Sequence, residues 1–472
     1  VTDAPLDYLL SARSKKMAVP IVFLKTSELK KWLEKADKAS RSWVKANAFT
    51  ASAGEMVHMP DTDKNGACIL WGLGDEALGE GTIPDDPLVY AKIASQLKPG
   101  TYQLPDNLST VRVHAAALGW GLANYRFDRF KTEPKKTGVL LKTPSKLNVK
   151  KLTAELNGMV LVRDLINMPT NAMLPSDLTA AARKLARNYD AKVKVTVGDK
   201  LLSENFPIIH AVGRASSDAP RLIDLRWGKA KNPKLTLVGK GVCFDSGGLG
   251  IKQSAGMRIM KKDMGGAAHA LGLASMIMAL GLNVRLRVII PAVENSISGN
   301  AFRPGDIIRS RAGKTVEIGH TDAEGRLVLS DALSLACEEK PDLLLDFATL
   351  TGAARVALGP DLPAMFTDDD KLAQQFEKSS KALHDPLWRL PLWPGYAQDI
   401  KSEIADLNNV AEHSFAGAII GGLFLKEFVA PGITWAHFDV YGWNATNRPG
   451  KPKGGEATTL RAVLDVVEKR YS

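Results

Sequence analysis

Four short runs, Leu235–Gly239, Val284–Val293, Leu343–Ala348 and Trp435–Val440, are apolar on successive rather than alternate residues. A strand with one wet face alternates apolar and polar side chains, so runs apolar on both faces demand cover on both. Helical patterns at Gly265–Leu280 and Leu327–Glu339 fall between them. Strands alternating with helices predict an α/β domain around a largely parallel or mixed sheet. A chain of 472 residues exceeds what one such core usually organises, so a second domain is expected.

The first third supplies it. Ala18–Leu24 reads as a strand, Ser27–Ser40 as a charged helix, Cys68–Gly72 as a strand, Val111–Arg126 as a helix and Thr137–Leu141 as a strand. Between Arg126 and Lys151 lies a basic, proline-containing stretch, read as a solvated boundary segment. The expected architecture is therefore a smaller N-terminal α/β domain, 1–150, serving assembly or regulation. A larger C-terminal α/β domain, 151–472, follows, with a central mixed sheet flanked by helices. Asn167–Asn171 should break one helix, and Pro175-Ser176-Asp177 should start another through Tyr189, with Ser176 as its N-cap.

Met264–Leu282 contains no formal charge, but Gly, Ala, Ser275 and His269 dilute it. A buried core helix suits that composition better than a membrane span. Val1–Leu6 lacks a basic region followed by a long apolar one, so no secretory signal is expected. Cys68, Cys243 and Cys337 are too few and too scattered for a disulfide framework, and a reducing compartment is the simpler expectation.

Charge concentrates in two glycine-rich places. The first runs Val238-Gly239-Lys240-Gly241-Val242-Cys243-Phe244-Asp245-Ser246-Gly247-Gly248, then Lys252 and Lys261-Lys262-Asp263-Met264-Gly265-Gly266. It starts where an apolar strand ends, the edge at which open α/β sheets hold ligands. Tight glycine turns would bring Lys240, Asp245, Lys252 and Asp263 toward one point. The second is His320-Thr321-Asp322-Ala323-Glu324-Gly325-Arg326. If extended, it projects Asp322, Glu324 and Arg326 to one side. Converging carboxylates repel one another, and divalent cations such as Mg, Mn or Zn resolve that repulsion. Two ions sharing Asp245 or Glu324 would clamp a bridging hydroxide for attack on a carbonyl or phosphoryl group. Lys252 and Arg326 would steady the oxyanion. An ordinary pair of strand-to-helix turns with surface ion pairs is the bland alternative, and the coincidence of both motifs weighs against it.

Other motifs are weak. Asp245-Ser246-Gly247-Gly248 resembles the nucleophile segment of chymotrypsin-like proteases over four residues only, in a chain unlike their disulfide-bonded β-barrels. There is no phosphate loop and no H-E-x-x-H helix, and Gly119-Trp120-Gly121 lacks a third glycine because position 124 is Asn.

Thr321-Asp322-Ala323-Glu324-Gly325-Arg326-Leu327 resembles the N-T-D-A-E-G-R-L signature of the leucyl (cytosol) aminopeptidase family. Tyr125–Lys131, Gly239–Gly248, Met260–Ala268, Arg303–Asp306, Asp346–Ala353 and Lys401–Val410 resemble it too. The likeness spans the chain from about residue 120 onward, while the N-terminal part is similar only in its α/β character. It implies a metal-dependent exopeptidase of the cytoplasm, usually a homohexamer with two divalent metals per subunit (Zn or Mn, with Mg or Co as alternatives), acting on peptides with a free N-terminus and preferring Leu-like first residues. Position by position, the tighter metal site would use Lys240, Asp245, Asp263 and Glu324, and the more exchangeable one Asp245, Asp322 and Glu324. The resemblance makes Lys252 the polariser of the scissile carbonyl and Arg326 the holder of a bicarbonate that serves as general base. A lysine ligand must be neutral, which adjacent cations would favour. Met260, Thr349, Leu350 and Gly352 match positions lining the first side chain's pocket. His320 stands where the family has Asn, and Tyr441–Glu456 departs from the better-known members.

The net charge of +11 raises a second class. Residues 1–150 hold 22 basic against 16 acidic side chains, and the remainder 40 against 35. A nucleic-acid-binding protein with secondary peptidase activity would use the Arg126–Lys151 stretch, Lys135 and Lys136 included, and would bind DNA salt-sensitively. Another two-metal amidase or phosphoesterase would share the carboxylates.

Overall fold

The computed structural model describes residues 6–62, 66–75, 83–133 and 138–471. The chain divides into two compact units, one of Asn157–Asn447 with Lys453–Ser472, the other of Ala4–Leu156 with Arg448–Pro452. The division falls inside the helix Val149–Asn167, beyond the position expected from composition.

The smaller unit is built on a six-stranded sheet in the order Leu9–Leu10, Val139–Lys142, Gly100–Gln103, Val19–Lys25, Cys68–Gly74, Met56–Met59. All neighbours are parallel except the last pair. The charged helix expected over Ser27–Ser40 is two helices, Thr26–Lys35 and Lys38–Ala46. Asp37 separates them because its carboxylate accepts the Ser40 N–H at 2.6 Å and so caps the second. The basic stretch is not merely a solvated connector, since it contains the strand Val139–Lys142 with Val139 and Leu141 buried. Arg126 caps the preceding helix by donating to the Ala123 and Tyr125 carbonyls at 2.8 and 2.7 Å, and Lys131 pairs with Asp128 at 2.7 Å. Lys135, Lys136 and Thr137 lie outside the described residues, as do Val1–Pro5 of the N-terminal segment.

The larger unit carries a nine-stranded sheet. Its order is Trp388–Arg389, Ala364–Phe366, Trp435–Asp439, Leu343–Ala348, Lys234–Gly239, Arg285–Asn295, Arg221–Trp227, Lys192–Val197, and Gly241–Asp245 pairs with the far end of Arg285–Asn295. Four central strands from Trp435–Asp439 to Arg285–Asn295 are parallel, and antiparallel pairings flank them on both sides. The sheet is therefore mixed, and the four apolar runs form its buried middle.

The uncharged segment is a core helix. Met260–Leu280 is long and apolar enough to cross a membrane, but 89% of its apolar window is buried inside the protein. Its first turns press backbone against backbone. A Cβ on Gly266 would stand 2.1 Å from the Phe347 carbonyl oxygen, so only glycine fits there. The helix Pro175–Asn188 begins with Pro at its first turn as expected, but Ser176 is not its cap. Leu174 holds that position, and the Asp177 carboxylate reaches back to accept the Leu174 N–H at 3.0 Å. The Ser176 N–H donates to Asp218 instead, at 2.7 Å.

Candidate metal centre

The strand Lys234–Gly239 ends beside Leu343–Ala348, and the chain turns at Lys240 before entering Gly241–Asp245. The Lys240 backbone is fixed on both sides: its N–H donates to the Phe347 carbonyl at 3.0 Å, and its carbonyl accepts the Ala267 N–H at 2.8 Å. Its side chain crosses over Gly325, where a Cβ would come within 2.6 Å of the amine. The ammonium then lies 2.8 Å from Asp263 Oδ2 and 2.9 Å from Glu324 Oε1, and donates to the Thr349 carbonyl at 3.0 Å.

Asp245 ends its strand in a fixed pose. Its Oδ1 accepts from the Gly247 N–H at 2.9 Å and from Asn295 Nδ2 at 2.8 Å, while Oδ2 faces the Lys252 ammonium at 2.7 Å. Gly247, at φ +89°, permits the fold-back that returns Lys252 over the strand end. Lys252 also pairs with Asp322 Oδ1. Asp263 comes from the 3-10 turn Met260–Met264, where its Oδ1 accepts the Thr349 hydroxyl at 2.7 Å.

The His320–Arg326 segment is not extended. His320–Ala323 forms a turn, and the helix Glu324–Glu338 starts immediately after it. The backbone leaves the extended region at Ala323, with φ −105° and ψ 40°, so the alternating projection expected for Asp322, Glu324 and Arg326 does not apply. The residues still meet, because a turn feeding a helix places Asp322 and Glu324 on the same side. Asn409 holds the turn: Oδ1 accepts the Gly319 and His320 N–H groups at 2.8 and 3.2 Å, and Nδ2 donates to the His320 carbonyl at 2.8 Å. His320 Nδ1 accepts the Asp322 N–H at 3.0 Å, holding its ring against the backbone of the turn. Arg326 is nearly buried and donates to the Asn409 carbonyl at 2.7 Å.

All eleven residues singled out from the sequence line one cavity of about 590 Å³. Asp245, Asp322 and Glu324 each present an oxygen within 4.8 Å of the others'. Asp263 Oδ2, Asp322 Oδ1 and Glu324 Oε1 are buried with only the Lys240 or Lys252 ammonium beside them, and Glu324 Oε2 is buried with no partner among the described residues. Such atoms are rare in a folded core and mark a place where a cation is wanted. Hard oxygen donors beside one amine suit a divalent ion.

The electrostatics agree. Burial, and then Asp263, push the Asp245 carboxyl up to about 6 against the pull of Lys252 and Lys240. Burial and Asp245 push Glu324 well above the usual carboxylate range. Burial acts on Asp263 in the same sense, but Lys240 and Lys262 outweigh it and hold its carboxyl low. Burial alone would favour a neutral Lys240, yet Asp263, Glu324 and Asp245 together keep it an ammonium. Burial also draws Arg326 down to about 10 and Lys262 to about 8.

Residue types and spacing did not single out several groups that shape the site. Asn295 bridges the two motifs by donating to Asp245 Oδ1 and, at 3.1 Å, to the Thr321 carbonyl. Asp439 holds the loop after Leu343–Ala348 by accepting the Leu350 N–H at 2.9 Å and the Thr351 hydroxyl at 2.6 Å. Lys262, Arg355 and Tyr441 also line the cavity. Neutral or lone residues far from the charged motifs carry no local signal; only Lys262 sat inside one.

Residues 160–464 match the model of the cytosol aminopeptidase family's catalytic domain, and residues 19–142 match that of the M17 aminopeptidase N-terminal domain. The N-terminal likeness is thus more than a shared α/β character. A probable cytosol aminopeptidase of Syntrophotalea carbinolica is 40% identical over 377 residues, 76% of each chain. The crystal structure of a cytosol aminopeptidase from Coxiella burnetii superposes with a TM-score of 0.92 at 46% identity, covering 99% of this chain and 100% of that one. The bottromycin maturation enzyme BotP, solved in complex with Mn, superposes with a TM-score of 0.85 at 32% identity, over 96% and 99%.

Proposed function

The chain belongs to the cytosol aminopeptidase family, and from that premise we propose that it removes the first residue, Leu-like ones included, from peptides with a free N-terminus, using two divalent ions. The observation that carries the reading is the convergence of four carboxylates in one cavity, sharing the Lys240 and Lys252 ammonium groups and leaving Glu324 Oε2 without a partner among the described residues. Lys240, Asp245, Asp263 and Glu324 would hold one ion, and Asp245, Asp322 and Glu324 the other. Bound there, the ions supply Lewis acidity toward a carbonyl and lower the pKa of water.

The chain's own groups do the rest. Lys240 must give up its Nζ proton to become a ligand, so metal uptake is coupled to proton release at that atom. Lys252 then keeps a positive charge beside the reacting carbonyl and steadies the oxygen as it becomes negative. Arg326 supplies fixed positive charge in the same cavity and would retain a bicarbonate. Met260, Thr349, Leu350 and Gly352 would border the first side chain, with Met260 and Leu350 supplying apolar surface. The N-terminal unit would serve assembly of a homohexamer working in the cytoplasm, and light scattering of the full chain tests that mass.

The decisive assay strips the metals and adds back Mn, Zn, Co or Mg before offering leucine amides. Activity that vanishes on stripping and returns with a divalent ion supports the reading. Full activity in the stripped protein overturns it.

A further inference from the structure

One charge in the cavity wall has no part in the chemistry above. Lys262 sits on the same 3-10 turn as Met260 and is only 6% exposed. Its ammonium lies 5.0 Å from the centre of the Tyr441 ring, and the Arg355 guanidinium, carried by the helix Gly352–Leu358, lies 4.9 Å from that same ring. All three residues line the cavity. Among the described residues, neither cation meets a carboxylate or a hydrogen-bond acceptor. The nearby acids are engaged elsewhere: Asp263 with Lys240 and Thr349, Asp439 with Leu350 and Thr351. The neighbouring Lys261 shows the ordinary solution, donating to the Asn167 carbonyl at 2.7 Å.

Asp263 and Asp439 act on this ammonium only through space, and a desolvated ammonium whose direct contact is an aromatic face is under-compensated. In a cavity wall, the missing partner is most simply supplied by what enters the cavity. An anion accepting from Lys262 would sit beside the Tyr441 ring whose other cationic neighbour is Arg355, and carboxylates are the anions peptides carry. We propose that Lys262, with Arg355 beside it, is a specificity-determining pair that receives the side-chain carboxylate of an N-terminal Glu or Asp, extending the range beyond aliphatic first residues. The inference rests on the aminopeptidase reading. The carboxylate is assigned to the first side chain, rather than to the free C-terminus of a dipeptide, because Lys262 shares its turn with Met260.

The test uses the metal-loaded full chain and the anilides of Leu, Glu and Gln, which have no C-terminal carboxylate, together with Leu-Gly and Glu-Gly dipeptides. The expected result is that the wild type cleaves Glu-anilide. Lys262→Met then lowers its kcat/KM relative to Leu-anilide by about tenfold or more, mainly through KM, as the loss of a charge-assisted hydrogen bond demands. Lys262→Arg restores most of that ratio. Arg355→Ala, at an exposed helix position, lowers it in the same direction and guards against a Lys262→Met protein that fails to fold. An unchanged Glu-to-Leu ratio in both variants overturns the proposal. So does a loss confined to dipeptides, which would assign the cations to the C-terminal carboxylate. A wild type that cleaves no anilide with any metal instead overturns the aminopeptidase reading itself, so the two failures are separable.

Discussion

Two charged clusters sit at opposite ends of the larger unit's sheet, and one helix touches both. At its start, Glu324 joins Lys240, Asp245, Asp263 and Asp322 at the carboxyl ends of the parallel strands. Just past its end, Glu339 joins Asp224, Arg226, Arg285 and Arg287 at the other edge. The second cluster is saturated. Asp224 accepts from Arg287 through both oxygens, at 3.1 and 2.7 Å, and Arg226 pairs with Glu339 at 2.6 Å. The first cluster shares two ammonium groups among four carboxylates and leaves Glu324 Oε2 buried with no partner among the described residues. The comparison teaches that charge density is no guide to function by itself: a fully paired cluster is costly to break, whereas one short of cations has room for a ligand.

The comparison can be broken by exchanging the consequences. Glu324→Gln should lower turnover of leucine amides on the order of 10³-fold, since a site unable to hold its ions forfeits several kcal/mol of transition-state stabilisation. Metal analysis should show reduced occupancy, whereas the stripped variant should melt no lower than the stripped wild type, because a repelled carboxylate has been removed. A large drop in melting temperature would make this cluster structural after all. Asp224→Ala should do the reverse, costing about 3 kcal/mol in denaturant unfolding by removing the two-oxygen partner of the buried Arg287 and leaving it only the longer Glu339 contact, with leucine-amide turnover near wild type.

Opposite pH dependences sharpen the contrast. Asp245, facing Lys252, Lys240, Asp263 and Asp322, has its carboxyl raised from 3.8 to about 6. A carboxyl held above its ordinary value binds its proton more readily when folded, so its stabilising effect is present at low pH and fades between 3.8 and about 6. In the stripped protein, the wild type should therefore lose stability relative to Asp245→Asn across that window. Burial would raise Glu339, but Arg226 and Arg287 outweigh it and hold its carboxyl below 4.5. Its contribution is present above 4.5 and lost as pH falls through the lowered value, so Glu339→Gln should matter least in acid. Parallel unfolding curves from pH 3 to 7 separate the two signs. The smallest effect is expected of His320→Asn, which can keep an acceptor for the Asp322 N–H and should change kcat/KM within about threefold.

The charged ligands and the strand-to-helix rhythm were legible because their signals are local. Glycines at 239, 247 and 325 stand beside the charges they make room for, and the apolar runs declare a buried sheet. Where a local rule had a local rival, it misled. Ser176 looked like a cap, but Asp177 reached the free N–H of Leu174. His320–Arg326 looked extendable, but the helix that buries Leu327, Val328 and Leu329 starts at Glu324 and fixes the geometry of the segment before it.

The sequence by itself determined an α/β chain with glycine-hinged carboxylates and lysines at a strand end, together with a recognisable family signature. Only the tertiary structure decided which atoms converge and which stay unsatisfied. Lys240 meets Thr349 across 109 positions and Asp245 meets Asn295 across 50. Such contacts depend on strand order and register, which no short window of residues encodes. For the same reason, Lys262 read as one more charge in a basic motif until the fold buried it against Tyr441.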